Sequence, residues 1–150
     1  MKVIKVGTSL CDQIGSGAFV ALYLSGGVIS SFASLAFNVA LARFHVSSLG
    51  ASGAVYAIVA AYAYINPQRE FFFFILPFFT FAASTLTGFA VLFETAGLAR
   101  AWYAGRSFFG VDHMAHLSGL LWGSFGGMVI VKELQRRAKA RQASLSRYFR

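Results

Sequence analysis

The chain has 150 residues, of which 57% are hydrophobic and 12% charged, and a formal net charge of +8. That length is one domain, and a charged fraction about half the roughly 25% of soluble proteins excludes an ordinary water-soluble globule. Nucleic-acid binding does not follow from the basicity, because seven of the thirteen Lys and Arg lie in a tail between Lys132 and Arg150 that suits water or lipid headgroups.

Residues 1–17 are mixed, with Lys2, Lys5 and Asp12, and hold neither a signal-peptide apolar core nor an arginine-rich transit pattern, so no targeting segment is predicted there. The lone Cys11 has no partner for an internal disulfide, and no His/Cys cluster has zinc spacing, so no metal is expected. From Ala18 to Ala42 no charge occurs for 25 residues, more than the roughly 20 needed to cross a bilayer core. This is the first predicted span. Gly26, Gly27, Ser30, Ser31 and Ser34 make much of it small. In lipid, small residues predict close helix contact, with a polar path as the alternative.

A connector over residues 43–49, containing His45, Ser47 and Ser48, leads to the second predicted span at 50–65. This span is short for a crossing unless its approach is itself buried in protein. A helix beginning partway into the membrane would hold Ser52 near its N-terminus, where free backbone N–H groups can face a developing oxyanion. On a helical wheel Tyr56, Val59 and Ala63 share the Ser52 face. Asn66-Pro67-Gln68-Arg69-Glu70 then reads as a turn.

Residues 71–93 are uncharged, crowd seven phenylalanines into 71–81, and place Pro77 inside the run, which predicts a kinked third span. Its aromatic load reads as lipid-facing bulk or as a mobile wall for an entering substrate helix. The connector over 94–110 mixes Arg100, Trp102, Tyr103 and Arg106, as interfacial anchors do. The fourth predicted span, 111–131, carries Asp112, His113 and His116, and ionisable groups inside a span count as functional by default. Small residues at 115, 119, 123 and 127 put His116 toward a tightly packed neighbour.

Ser52, between Gly50-Ala51 and Gly53, and His116, in Ala115-His116-Leu117-Ser118-Gly119-Leu120-Leu121-Trp122-Gly123, stand on separate predicted helices as a candidate nucleophile and base. These stretches resemble the Gly-x-Ser-Gly and Ala-His-x-x-Gly-x-x-x-Gly motifs of the rhomboid intramembrane serine proteases, with Tyr56 in the place of the tyrosine that packs the histidine. Leu76-Pro77-Phe78-Phe79-Thr80-Phe81, Glu94-Thr95-Ala96-Gly97 and Asp112-His113-Met114-Ala115-His116 resemble the family's presenilin-associated branch in the mitochondrial inner membrane.

The resemblance, over residues 18–131, implies an all-α membrane protein of the rhomboid-type polytopic bundle and a Ser–His dyad that cuts transmembrane segments of protein substrates. It implies no metal or organic cofactor. Ser52 would be nucleophile and oxyanion donor and His116 the base, with Gly50, Gly53, Tyr56, Gly119 and Gly123 as structural support. The family core has six helices, one of which supplies a His-x-x-x-Asn to the oxyanion hole. This sequence contains no such motif and four predicted spans, so 1–150 reads as a single, N-terminally incomplete rhomboid domain with a basic tail at 132–150. Alternatives are a non-catalytic relative that binds membrane helices, and an unrelated bundle with an ion path through Asp112, His113 and His116. Positive-inside counting puts both ends in the cytoplasm or matrix, since ten of thirteen basic residues lie there and at Arg69.

Overall fold

A computed structural model describes residues 6–42, 50–72, 80–105 and 111–148. In chain order these form α1 (Val6–Ile14), α2 (Ser16–Ala40), α3 (Ala51–Ile65), β1 (Glu70–Phe72), β2 (Thr80–Ala82), α4 (Ala83–Ala104) and α5 (His113–Tyr148). The protein is mainly helical. Among the described residues, α2 and α5 are the helices long and apolar enough to cross a membrane, with mean hydropathies of 1.7 and 1.4. The 15-residue α3 is apolar but shorter.

α2 shows why such a sequence suits lipid. Its buried positions are Leu22, Gly26, Ser30, Ser34 and Asn38, one every four residues and mostly small or polar. Its exposed positions include Val20, Leu24, Val28, Phe32, Leu35 and Val39. An apolar stripe outside and a small, polar stripe inside reverse the pattern of a soluble helix. Packing follows from size: a Cβ on Gly26 would stand 2.7 Å from the Ala57 Cβ of α3. The small residues of the first predicted span therefore make helix contacts.

The short α3 is the centre. Gly53, Ala54, Ala57, Ile58, Ala60, Ala61, Tyr62 and Ala63 are all buried, so its length need not match a bilayer. α1 closes one end by burying Leu10 in a cluster with Leu22, Ile58 and Tyr62.

The predicted third span needs correcting. It was expected over 71–93, but residues 70–72 pair antiparallel with 80–82, with Glu70 opposite Ala82 and Phe72 opposite Thr80. Phenylalanine favours strands as readily as it fills helices, and a short apolar run has no periodicity to separate the two. The helix starts at Ala83 and runs to Ala104, where Gly105 at φ 71° ends it in the left-handed region. Most of the expected connector at 94–110 is thus helix. His45, Arg106 and the expected kink at Pro77 lie outside the described residues.

The basic tail continues α5 without a break to Tyr148, and residues 134–146 are exposed. Hydrogen bonds from Arg136 and Arg137 hold the exposed Glu133 carboxyl down to about 2, so the tail's one acid stays charged and paired.

Candidate active site

Gly50 ends the approach to α3, and Ala54 N–H makes the first helical bond to its carbonyl at 3.0 Å. The N–H groups of Ala51, Ser52 and Gly53 therefore belong to the first turn, before the intrahelical ladder begins. Ser52 is exposed and Tyr56 lies one turn further on the same face. A side chain on Gly50 would run into Gly27 and Ser31 of α2, and one on Gly53 into Ser30. Glycine at these two positions lets α2 close against the turn that presents Ser52.

α5 meets α3 through backbone at the same residues, Gly53 and Ala57. A Cβ at Gly119 would overlap the Gly53 carbonyl, and one at Gly123 the Ala57 carbonyl. We expect Gly119→Ala and Gly123→Ala each to cost about 1–3 kcal/mol, because the obstacle is main chain and cannot rotate away. Gly88→Ala is the control: nothing lies within 4 Å of that position, and alanine is the better helix former. Thermal unfolding in detergent micelles checks this; equal melting of the Gly123→Ala and Gly88→Ala proteins would contradict a tight α3–α5 seam.

That seam brings Tyr56 flat against His116, with ring centroids 4.3 Å apart and planes 12° from parallel. Ser52 and His116 therefore both adjoin Tyr56, although no hydrogen bond joins them among the described residues. His116 instead places Nδ1 3.1 Å from Glu94 Oε1, and His113 places Nδ1 2.6 Å from Glu94 Oε2. Glu94 and His113 side chains are each 1% exposed, and His116 13%. Glu94 was missed as a site residue because it was assigned to a connector. Its signal is an acid three residues before Gly97, where any side chain would collide with the His113 ring.

The Asp112 carbonyl accepts the His116 N–H at 3.2 Å, but its carboxylate turns to other partners. It caps α5, accepting Ala115 N–H on Oδ1 at 3.0 Å, while the Ser34 hydroxyl of α2 donates to Oδ2. Asn38 in turn donates to the Ser34 carbonyl at 3.0 Å. The polar stripe of α2 thus latches the start of α5 and with it both imidazoles. Asp112→Ala should cost about 2 kcal/mol, from a lost cap and a stranded Ser34 hydroxyl. Unfolding of that variant at the wild-type temperature would sink the latch.

Beside Tyr56 a cleft of about 270 Å³ opens between α3 and α4, lined by Val55, Tyr56 and Val59 on one side and Leu86, Thr87 and Ala90 on the other. A wider groove of about 610 Å³ runs between α2 and α3 past Gly27, Ser31 and Gly50.

A family model described as the rhomboid domain matches residues 1–133. The presenilin-associated rhomboid-like protein, mitochondrial, of Rattus norvegicus is 41% identical over 116 residues, covering 77% of this chain and 29% of its own length. Its Homo sapiens counterpart is 40% identical over the same shares. Rhomboid protein 1, mitochondrial, of Saccharomyces cerevisiae is 31% identical over 150 residues, covering 95% of this chain and 40% of its own. The chain thus spans less than half the length of these relatives. No solved structure matches it.

Proposed function

The chain belongs to the rhomboid family, and we propose that it carries the catalytic pair of a serine-type intramembrane endopeptidase acting on transmembrane segments of protein substrates. Ser52 is the nucleophile and His116 the base. One observation carries the reading: Tyr56, a turn from Ser52 on α3, stacks on His116 of α5 across a seam with no room for side chains.

The chemistry follows from the residue types. Ser52 Oγ adds to the scissile carbonyl while His116 takes its proton, and the carbonyl oxygen becomes an oxyanion to which the Ser52 N–H donates. Collapse of that intermediate breaks the C–N bond, and His116 returns the proton to the leaving amine. Water then repeats the sequence on the acyl-enzyme and frees Ser52. Gly50, Gly53, Gly119 and Gly123 serve by holding the helices close, and Tyr56 by orienting the imidazole. The relatives are named as mitochondrial, and with the resemblance of the sequence to the family's inner-membrane branch we assign the chain to the mitochondrial inner membrane as a multi-pass protein.

A second reading, a rhomboid-like protein that binds membrane helices without cutting them, is favoured by one observation: among the described residues His116 pairs with Glu94 and makes no hydrogen bond to Ser52. A serine-directed fluorophosphonate applied to the chain in liposomes separates the two. Modification confined to Ser52 and dependent on His116 is the expected result; modification spread over exposed serines, or independent of His116, overturns the protease reading.

A further inference from the structure

Glu94 is the one acid of α4, and both of its oxygens are engaged by α5. A carboxylate sitting inside a helix bundle is costly unless paired and hydrogen-bonded. Here two imidazoles do the pairing, and one of them is the proposed base. An ionised carboxylate can only accept hydrogen bonds, so a neutral His116 facing it with Nδ1 keeps its proton on that atom. The ring's other nitrogen, Nε2, is then left with the lone pair a base needs.

His113 holds the carboxylate from the other side. Its ring sits over Gly97, one turn along α4 from Glu94, with no space for a Cβ between them. Phe93 meets the same ring edge-on, at 5.6 Å between centroids and 70° between planes. The Glu94 side chain is thereby fixed at two points, its own helix and the start of α5. Tyr56 packs on the same imidazole that Glu94 engages, stacked on His116 at 4.3 Å between ring centroids.

We propose that Glu94 is a positioning residue for the Ser52–His116 pair, fixing His116 in the tautomer with Nδ1–H and a free Nε2, and that His113 seated on Gly97 keeps the Glu94 carboxylate aimed. The inference rests on the protease reading and extends it in one respect. The base is held from α4, a different helix from the one that carries the nucleophile and from the one that carries the base itself. Displacing α4 therefore removes the orienting partner of His116, and the pair reacts only while α4 is docked on the start of α5.

The test uses the 150-residue chain in liposomes, as wild type and as Glu94→Gln, Glu94→Asp, Gly97→Ala and Ser52→Ala. Two readouts are taken: the rate of Ser52 modification by a fluorophosphonate across pH, and the ring ¹⁵N spectrum of His116, which is assignable because the chain has three histidines. In the wild type His116 should show a protonated Nδ1 and an unprotonated Nε2. Glu94→Gln can donate through its amide and so favour the opposite tautomer. Its labelling rate should fall by about 10²- to 10⁴-fold, as when an orienting acid becomes an amide. Glu94→Asp should restore the tautomer and most of the rate, and Gly97→Ala should show a smaller loss by pushing on His113.

A purely structural Glu94 would lower the melting temperature in Glu94→Gln and leave the tautomer and labelling rate of the folded fraction unchanged, which overturns the proposal. So does a wild-type His116 with its proton on Nε2, and this readout decides even if no chain is labelled. Wild-type behaviour of Gly97→Ala in both readouts removes His113 from the device. Labelling of the Ser52→Ala protein at the wild-type rate would instead bring down the protease reading, and this inference with it.

Discussion

Replacing Ser52 by alanine is expected to lower cleavage of a transmembrane reporter by about 10⁵- to 10⁶-fold, the size of loss seen when the nucleophile of a serine protease is removed. The fold should survive the change. Ser52 is exposed at the second residue of α3 and takes no part in the seam, which is made by Gly53, Ala57, Gly119 and Gly123. Alanine also suits a helix interior at least as well as serine. Circular dichroism and thermal unfolding should therefore match the wild type while turnover vanishes. Turnover retained within tenfold would mean that another residue attacks the carbonyl and that the closeness of Ser52 to Tyr56 is only packing. Because the 150-residue chain is expected to turn over slowly, the measurement is best made in the extended protein described next.

Joining an upstream pair of spans that carries His-x-x-x-Asn to this chain is expected to raise its proteolytic rate by about 10⁴- to 10⁶-fold over the 150 residues alone. The argument concerns charge. Attack by Ser52 concentrates a negative charge on one oxygen, and within these residues the assigned donor is the N–H of Ser52 in the first turn of α3. Each further oxyanion donor contributes about 10²- to 10³-fold, and the motif brings two side chains. The first turn of α3 lies beside the open groove between α2 and α3, at Gly50 and Ala51, so an added helix would find apolar surface there on Tyr23, Leu24, Val28 and Phe32. Both chains would be reconstituted with the same transmembrane reporter. Comparable turnover would show that Ser52, His116 and the backbone suffice.

The candidate pair was legible because its evidence is local. A serine between glycines and a histidine on a ladder of small residues are each unspecific alone, but together they carry the family resemblance, and the small residues state that the helices carrying them come close. The close helix contact made by the small residues of α2 was legible for the same reason. What failed was the segment at 71–82 and everything dependent on where α4 begins. Seven phenylalanines within 71–81 register as hydrophobic bulk, and nothing in the run says that 70–72 turns back to pair with 80–82.

Glu94 was lost for a related reason. An isolated acid at the end of an apolar run reads as the place where the chain leaves hydrocarbon, since a bare carboxylate there is too costly to bury. By itself the sequence pointed to a membrane protein whose helices approach through small residues and to Ser52, Tyr56 and His116 as one neighbourhood, of which the structure stacks Tyr56 on His116. Only the tertiary structure decided that Glu94 is inside. Its partners, His113 and His116, stand 19 and 22 residues further along the chain, and the low-energy state of the carboxylate exists only once α4 and α5 have met.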